Sequence, residues 1–524
     1  MGYVSNLDTP LLQLSPRDRF TLRDAVQGVH VFGGIGSGKT SGSGKALAAA
    51  YLRAGMGGLV LCAKPDEAHR WCEYAAENGR EQSVMLFGPP DRWRFNFLTY
   101  ELSRQGPAGI GSVVECLMRI LEAARLTNPN AGRGSEAFWE DASRQLLRNT
   151  IPILYAATGT VSIPDIIRFI GSAPKSLQEL QSADWQQHAF MFQALAQARR
   201  APVVALPDPD FDKCAAYWRD EYATLDPKTR SNIAISLSTA LDRFNRGRLH
   251  ELFCTSTNVV PEMTFHGAII IMDMSALSWN EDGIIGQQLF KYMWQRAVLG
   301  RNGLGPEHAA RPVFLWADES QYFVNSYDAD FQSTCRSAKA CTVYLTQSLP
   351  TYYARMGGDQ AAHRADMLLS NFVTRVFHNS PDNVTNRWAS DMIGRAVQRR
   401  ATYSEGESSG YSHGMNRGES ENRGRSSSGG MSGSLGGHAT YSFNAGSNYG
   451  TGANQGRNRG YNEGTNTSSG YSEVLDAEIE PADFSRTLRT GGPANGGVVT
   501  GVWFQAGKVF NDSQRNYLHV SFRQ

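Results

Sequence analysis

Short apolar runs alternate with longer amphipathic stretches in the first hundred residues. The runs lie at 28–33, 57–64 and 83–88, and the first one leads into a glycine-rich loop. An alanine-rich stretch near Ser41–Ala54 predicts a helix between the first two runs. Strands that alternate with helices in this way predict a parallel sheet that is covered on both faces.

A helical pattern replaces this alternation from about Pro107 to Phe244. Strand-like runs are nearly absent there, and apolar residues recur at helical spacing in four stretches, at 113–124, 138–154, 177–198 and 232–244. This part of the chain therefore predicts an inserted all-α domain.

Buried-strand runs then return, separated by helix-length spacers. They lie at 267–274, 312–318, 340–346 and 372–378, and 498–509 and 517–522 are predicted as closing strands. The predicted fold class is α/β, with a mainly parallel sheet interrupted by the helical insertion.

Residues 401–470 differ in composition from the rest of the chain. They include 17 glycines and 14 serines, with no lysine, proline or cysteine, so they cannot bury enough apolar surface to fold alone. They are predicted as a flexible loop, and the alternative is a loop that orders against DNA or a neighbouring subunit. The predicted domains are 1–106 and 251–400 for the α/β domain, 107–250 for the all-α insertion, 401–470 for the Gly/Ser-rich loop and 471–524 for the closing strands.

Overall charge and cysteine content exclude several classes of protein. The net charge is +1, which excludes a polybasic protein but leaves room for a local nucleic-acid site. The seven cysteines are scattered without a CxxC pair, which argues against a disulfide framework or a zinc site. No signal peptide or membrane-spanning run is apparent, so we expect a cytoplasmic protein that meets a membrane only through a partner.

The glycine-rich loop matches the GxxxxGK[ST] pattern of phosphate-binding loops. Its glycines let consecutive backbone N–H groups surround a phosphate, the Lys39 ammonium reaches the β- and γ-phosphates, and the Thr40 hydroxyl can bind Mg²⁺. ATP and Mg²⁺ are the predicted cofactors. The predicted nucleotide-binding residues are Gly33, Gly34, Ile35, Gly36, Ser37, Gly38, Lys39, Thr40 and Ser41.

Two acidic residues end the apolar run at 312–318. At the carboxyl end of a parallel strand, Asp318 can hold Mg²⁺ together with Thr40, and Glu319 can orient or deprotonate the attacking water. A solvated strand end is the alternative, and the phosphate loop elsewhere in the chain favours the catalytic interpretation.

Two further polar residues are candidates for catalysis. Gln347 ends the apolar run at 340–346, where it could sense the γ-phosphate or position water. Arg336 lies eleven residues earlier, and in ring ATPases such an arginine often completes the site of the next subunit. A surface arginine is the alternative for Arg336.

Taken in order, the motifs resemble those of the TraD/TraG-type coupling proteins, the DNA-pumping ATPases of conjugation and type IV secretion. The resemblance covers nearly the whole chain. It rests on the phosphate loop, Cys62–Glu67, Phe95–Leu98, Phe138–Trp139 with Leu146–Leu147, Trp316–Glu319, Arg336, Thr346–Ser348 and Glu480–Phe484.

The resemblance implies a RecA-like motor domain that forms a hexameric ring around DNA. The all-α domain would lie at one mouth of the ring and recognise a relaxase–DNA substrate, and a relaxase or secretion-channel proteins would be partners. It also implies that Arg336 acts in trans and that Gln347 is the polar sensor. The family's N-terminal transmembrane anchor is not expected here.

Three functions are compatible with these motifs. The first is an ATP-driven translocase of the coupling-protein kind, with sequence-independent DNA contacts. The second is a phage or mobile-element packaging or defence motor with the same core. The third is a nucleotide-gated adaptor that recruits substrate proteins and hydrolyses ATP without stimulation by DNA.

Overall fold

A computed structural model describes residues 2–127, 136–358, 360–413, 422–433, 439–450 and 459–524. The chain forms two compact units. The first comprises Met1–Asn386 together with Ala482–Gln524, and the second comprises Arg387–Pro481. All residues of the candidate site belong to the first unit.

Eleven strands lie in the described part of the first unit. Two form a small antiparallel pair, β1 (Pro10–Gln13) and β2 (Arg19–Thr21). The other nine form one sheet: β3 (Val29–Phe32), β4 (Gly57–Leu61), β5 (Val84–Phe87), β6 (Ile269–Met272), β7 (Val313–Ala317), β8 (Ala340–Thr346), β9 (Thr374–Phe377), β14 (Val498–Gln505) and β15 (Tyr517–Arg523).

The order of strands in the large sheet determines where the chemistry-bearing loops meet. The order is β15-β14-β9-β3-β8-β7-β4-β6-β5. Strands β3 to β9 pair in parallel, whereas β14 pairs antiparallel with β9 and with β15. All nine strands coincide with apolar runs of the sequence, because strands buried on both faces are nearly continuously apolar. The carboxyl ends of the seven parallel strands, β3 to β9, share one edge of the sheet.

The described helices of the first unit cover both faces of the sheet and form the insertion. They are α1 (Leu22–Ala25), α2 (Lys45–Arg53), α3 (Glu67–Glu77), α4 (Phe97–Gln105), α5 (Ile110–Thr127), α6 (Glu136–Thr158), α7 (Ile163–Gly171), α8 (Leu177–Gln181), α9 (Ala183–His188), α10 (Phe190–Arg200), α11 (Asp208–Ala216), α12 (Pro227–Asn245), α13 (Gly247–Phe253), α14 (Ala276–Gly300), α15 (Pro306–Ala310), α16 (Tyr327–Thr334), α17 (Leu349–Met356), α18 (Ala361–Ser370), α19 (Asn383–Ile393, which continues into the second unit) and α20 (Asp483–Arg486).

The insertion between β5 and β6 is helical, as the sequence predicts. Helices α4 to α13 contain no strand among the described residues 97–253. The stretch at 177–198, where apolar residues recur at helical spacing, is divided among three helices, α8, α9 and α10. Ser182 causes the first break, because its extended backbone caps α9 and its hydroxyl accepts a hydrogen bond from the Trp185 amide. The α/β fold class with a helical insertion is confirmed, and the boundaries of the separate domains stay predictions.

The second unit corrects the prediction of a loop at 401–470. Strand β10 (Arg395–His413) pairs antiparallel with β13 (Arg459–Ala477), and β11 (Asn422–Gly433) pairs with β12 (Ala439–Gly450). A ladder of this kind pairs backbone donors and acceptors between strands without a packed core, so low hydrophobicity does not prevent it. Residues 414–421, 434–438 and 451–458 of the predicted loop lie outside the described residues. Contact of this segment with DNA or a neighbouring subunit stays a prediction.

Among the described helices, none is by itself long and apolar enough to cross a membrane. Residues 138–158 of α6 meet that requirement only together with α7, and the two helices are bent by 114° where they join.

Candidate nucleotide-binding site

The phosphate loop leaves the sheet between the ends of two neighbouring strands. The Gly33 amide donates to the Thr346 carbonyl at 3.2 Å, and the Gly34 amide donates to the Asn379 carbonyl at 2.9 Å. Because β8 and β9 flank β3, these bonds fix the start of the loop to both neighbours. The Ser37 amide then donates back to the Gly34 carbonyl at 3.2 Å, which closes the turn.

The phosphate loop requires glycine at two positions, because the backbone there is left-handed. Gly36 has φ +69° and Gly38 has φ +82°. A Cβ atom at Gly38 would lie 2.4 Å from Val499 Cγ2 of β14, so this close approach also excludes a side chain. Ile35, at the tip of the loop, is 88 % exposed.

The helix that follows the loop starts with a widened turn. Residues Thr40–Gly44 form a π-helical turn, in which the Gly44 amide donates to the Lys39 carbonyl at 2.8 Å, and α2 begins at Lys45. A Cβ at Gly44 would lie 2.9 Å from that carbonyl oxygen, so glycine allows the wide turn. Ser41, at the start of the turn, accepts a hydrogen bond from Gln524 Nε2 at 2.7 Å.

The sheet brings the phosphate loop and the acidic strand into direct contact. Thr40 Oγ1 donates to Asp318 Oδ2 at 2.8 Å, and Lys39 Nζ lies 3.5 Å from Glu319 Oε1. Lys39 and Asp318 are 279 positions apart in the sequence. They meet because β3 and β7 are separated only by β8, so their carboxyl ends lie close together.

Glu319 has a left-handed backbone that is unusual for a residue with a side chain. Its φ and ψ are both 49°, its side chain is buried, and such a conformation costs roughly 1–3 kcal/mol. Gln321 Nε2 donates to Glu319 Oε2 at 2.9 Å, and Gln347 Nε2 donates to Glu319 Oε1 at 3.2 Å. The structure thus places Gln347 against Glu319, at the same edge as the phosphate loop.

The surroundings of Glu319 keep it ionised. Burial by itself raises the pKa of this carboxyl group, but the positive charge of Lys39 opposes burial. Hydrogen bonds from Gln321 and Gln347, together with the charge of Lys64, act in the same direction as Lys39. The net result is a pKa below the usual value for glutamate, so the Glu319 carboxylate is ionised and able to accept a proton.

Lys64 is a site residue to which the sequence analysis assigns no role. It follows β4, the strand next to β7, and its Nζ lies 3.4 Å from Glu319 Oε1 and 3.9 Å from Asp318 Oδ2. Burial lowers the pKa of this ammonium group, and the charges of Asp318, Glu319 and Glu67 more than compensate, so the pKa is raised. A polar residue after a buried strand is the signal that could have identified Lys64.

Glu67 lies beneath Lys64 and shapes the turn after β4. Its Oε2 accepts a hydrogen bond from the Ala63 amide at 2.6 Å, and its Oε1 lies 3.8 Å from Lys64 Nζ. Burial, reinforced by the negative charge of Asp318, raises the pKa of Glu67 above the usual value. Glu67 therefore fixes the backbone just before Lys64 and lies close to its ammonium group.

The segment that follows Glu319 is anchored to a buried charge network. Asp328, which is buried, accepts hydrogen bonds from the Asn325 amide at 2.8 Å, from Gln295 Nε2 at 2.8 Å and from the Tyr344 hydroxyl at 2.9 Å. It also pairs with Lys291 of α14, and both side chains of this ion pair are excluded from solvent. Breaking such a pair costs about 3–5 kcal/mol, so the segment has a fixed position.

The helical insertion also contacts this segment. The Ser326 amide donates to Glu122 Oε1 at 2.9 Å, and Arg119 Nη1 donates to Ser326 Oγ at 2.6 Å. Both charged residues belong to α5. The insertion therefore reaches a residue that is only seven positions from Glu319.

Arg336 lies at the opposite edge of the sheet from the phosphate loop. It is exposed and belongs to the turn before β8, and its carbonyl accepts a hydrogen bond from the Lys339 amide at 3.0 Å. Six residue steps of about 3.3 Å separate the two ends of β8, or roughly 20 Å. Arg336 therefore does not reach the phosphate loop of its own chain.

The residues of the phosphate loop and the acidic strand fit a magnesium–nucleotide. The Ser37 hydroxyl is buried without a hydrogen-bond partner in the described part of the chain, and Lys39 is 6 % exposed. The Ser37 hydroxyl and the Lys39 ammonium group could both donate hydrogen bonds to an anion that the loop surrounds. A hydroxyl and a carboxylate, on Thr40 and Asp318, are oxygen donors of the kind that Mg²⁺ prefers. In the described residues, no group of three or more His, Cys, Asp or Glu could hold another metal ion.

Sequence comparison matches the second part of the α/β domain to a known family. A family model described as the TraM recognition site of TraD and TraG matches residues 312–432, which include Asp318, Glu319, Arg336 and Gln347. No curated protein has a significantly similar sequence.

Structural comparison covers nearly the whole chain. The conjugative coupling protein TrwB in its unbound form has a TM-score of 0.52 and 14% identity, and the match covers 96% of this chain and 86% of TrwB. TrwB with ADP and Mg²⁺ has a TM-score of 0.53 and 13% identity, with 96% and 87% covered. The complex with the GTP analogue GDPNP has a TM-score of 0.53 and 14% identity over the same shares.

These similarities confirm the predicted fold class and the resemblance to coupling proteins. At such low identity the likeness to TrwB shows the fold alone, which is a RecA-like α/β fold with a helical insertion. The order of motifs along the chain agrees with it. Residues 312–432 of the chain thus resemble the TraM recognition site of TraD and TraG, and the chain as a whole has the fold that is seen in TrwB.

Proposed function

We propose that this protein is an ATP-hydrolysing DNA translocase of the coupling-protein kind. The observation that carries the proposal is the meeting of Lys39, Thr40, Asp318, Glu319 and Gln347 at one edge of the sheet. These residues supply a phosphate cradle, a metal site and a base. Their combination at one place is what phosphoryl transfer to water requires.

Each residue has a distinct task in this reaction. Lys39 holds the β- and γ-phosphates, and Thr40 and Asp318 hold Mg²⁺, which would neutralise charge on the phosphates. Glu319, kept ionised by its donors, accepts a proton from the attacking water. Gln347 holds the Glu319 carboxylate and lies where a γ-phosphate could be sensed. Lys39 must leave Glu319 when it turns to a phosphate, which removes one of the cations that contact Glu319 Oε1.

The relatives support DNA transfer as the purpose of this hydrolysis. TrwB is described as a conjugative and plasmid coupling protein and was crystallised with ADP and Mg²⁺. The matched family is described as a recognition site for TraM, which supports a partner protein in DNA transfer for this chain. A homo-hexamer, sequence-independent contacts to DNA, and partners such as a relaxase or channel proteins belong to the same proposal. The seven free cysteines support a cytoplasmic location, with membrane contact through a partner.

Arg336 is proposed to complete the nucleotide site of a neighbouring subunit. Its place at the opposite edge of the sheet supports a role in trans, because a head-to-tail ring would bring that edge to the neighbour's phosphate loop. We expect Arg336→Ala to lower the rate of ATP hydrolysis by about 10³-fold or more, as for arginine fingers in other NTPases.

Mixing two inactive variants tests whether Arg336 acts between subunits. Arg336→Ala subunits keep an intact phosphate loop, and Lys39→Ala subunits keep an intact Arg336, so mixed assemblies contain some complete sites. We expect partial recovery of steady-state hydrolysis on mixing. A mixture as inactive as its components, at a concentration where assembly is verified, would contradict a role in trans.

DNA translocation is tested by the response of ATP hydrolysis to DNA. We expect single- or double-stranded DNA to raise the steady-state rate several-fold at low salt, and this rise to decline with increasing salt because phosphate contacts release counterions. The oligomeric state is measured in the same buffer. A rate that is equal with and without DNA in an assembled protein would contradict the translocase and favour the adaptor.

A further inference from the structure

A chain of three buried side chains connects the phosphate-loop strand to the catalytic turn. His30 of β3 has its Nε2 atom 2.8 Å from the Tyr352 hydroxyl oxygen, and that oxygen lies 2.6 Å from Ser320 Oγ. His30, Tyr352 and Ser320 are all completely buried. Ser320 follows Glu319 directly, and Tyr352 lies on α17, which starts just after Gln347.

The Leu345 carbonyl can only accept, and this fixes which atom donates in each of the hydrogen bonds that link Ser320, Tyr352 and His30. Ser320 Oγ donates its one proton to the Leu345 carbonyl at 2.9 Å, so the Tyr352 hydroxyl must donate to Ser320 Oγ. That hydroxyl then accepts from His30, which places the imidazole proton on Nε2. His30 Nδ1 has no hydrogen-bond partner in the described residues, as expected for the bare nitrogen of this tautomer.

The state of His30 agrees with this assignment. Burial, with a further contribution from the charge of Arg375, lowers the pKa of the His30 imidazole well below its usual value. The ring is therefore neutral and is packed against Phe32 and Phe372. A fixed neutral donor of this kind can hold the tyrosine hydroxyl in one orientation.

Glu319 needs such support because its left-handed backbone is strained. Two local hydrogen bonds hold Glu319, from its amide to Asp318 Oδ1 at 2.9 Å and from Gln321 Nε2 to its Oε2 at 2.9 Å, but a glutamate has no intrinsic preference for a left-handed backbone. Ser320 is held from two sides, by the β8 backbone at Leu345 and by Tyr352. A turn whose second residue is fixed in this way cannot relax to a right-handed backbone without breaking buried hydrogen bonds.

We propose that Tyr352 is a positioning residue that holds the Glu319 carboxylate in its reactive orientation through Ser320. This inference rests on the proposed ATP hydrolysis. Tyr352 does not contact the predicted nucleotide position. It acts by fixing the turn, so its loss moves the carboxylate while leaving Lys39, Thr40 and Asp318 in place.

The test removes the Tyr352 hydroxyl alone. We expect Tyr352→Phe to lower kcat for ATP about tenfold or more, because a catalytic group displaced by about 1 Å can lose up to 10²-fold in rate. The KM for ATP and the affinity for a fluorescent ATP analogue should change by less than about twofold. Unchanged kcat in a folded Tyr352→Phe protein would overturn the inference.

Two matched variants distinguish positioning from a general loss of stability. Tyr51→Phe removes a hydroxyl that is equally buried but has no partner in the described residues, so it should leave kcat unchanged. Ser320→Ala removes the other end of the bond and should lower kcat as much as Tyr352→Phe does. It also serves as the test if Tyr352→Phe does not fold. Full kcat in Ser320→Ala would overturn the inference.

A double variant tests whether Tyr352 acts through Glu319. In single-turnover hydrolysis, Tyr352→Phe should have almost no further effect when Glu319→Gln is already present. If the two effects multiply instead, Tyr352 acts on something other than Glu319, and the inference is overturned. Absence of hydrolysis in the unaltered protein would overturn the proposed function and this inference together, whereas the outcomes above overturn only the inference.

Discussion

Replacing Lys39 by alanine is expected to abolish ATP hydrolysis and to weaken ATP binding about 10- to 100-fold. The estimate follows from the free energy of a hydrogen bond to a charged group, which is roughly 1.5–3 kcal/mol. Because Lys39 is buried, we expect a loss of affinity near the upper end of this range. The fold should survive, because Lys64 stays against Glu319 when Lys39 is lost. Binding is measured by titration with a fluorescent ATP analogue, and hydrolysis by phosphate release.

Lys45, the first residue of α2, is a close control for Lys39. Lys45 ends a Gly-Ser-Gly-Lys sequence like that of the phosphate loop, but its side chain is 41% exposed and pairs with Glu77 at 3.4 Å. Lys45→Ala should bind and hydrolyse ATP like the unaltered protein. Equal losses in the two variants, or retained hydrolysis in Lys39→Ala, would show that the phosphate loop is misassigned.

Replacing Glu319 by glutamine should separate binding of ATP from its hydrolysis. Loss of a general base lowers the rate about 10²- to 10⁴-fold. Binding should persist, because glutamine keeps the size of the side chain and Lys39, Thr40 and Asp318 are untouched. Lys39 should also be more available to phosphate, because its carboxylate partner at 3.5 Å is gone. Binding and single-turnover hydrolysis are measured on the same preparation.

The matched control for Glu319 is the same substitution at another buried, ion-paired glutamate. Glu101 of α4 is 2% exposed and lies 3.2 Å from Arg296 through its carboxylate. Glu101→Gln should leave the hydrolysis rate of the folded protein within about twofold. If Glu319→Gln loses nucleotide affinity instead of turnover, Glu319 serves binding rather than proton transfer.

The local parts of the fold and site follow from the sequence because their causes are local. Each strand of the large sheet lies in a largely apolar run of the sequence. The phosphate loop is a short, glycine-rich segment, and its left-handed backbone demands glycine at Gly36 and Gly38. Asp318 and Glu319 are recognisable because they end such a run. These assignments do not require knowledge of contacts between residues that are far apart in the sequence.

Other residues could not be assigned because their roles depend on distant partners. Lys64 becomes a site residue only when β4 and β7 lie side by side. Tyr352 belongs to no recognisable motif, and its proposed role depends on a hydrogen bond to Ser320, which lies 32 positions away in the sequence. The paired strands β10 to β13 were missed because glycine and serine have low strand propensity, whereas the ladder depends on backbone pairing across long separations.

The sequence by itself determined the α/β class, the nine strands of the sheet, the helical insertion and the residues of the phosphate loop and acidic strand. These depend on burial and backbone conformation, which are properties of short segments. Only the tertiary structure decided that Thr40 meets Asp318, that Glu319 is left-handed and held by four side chains, and that Arg336 lies at the far edge of the sheet. Those features depend on strand order, which no local pattern encodes.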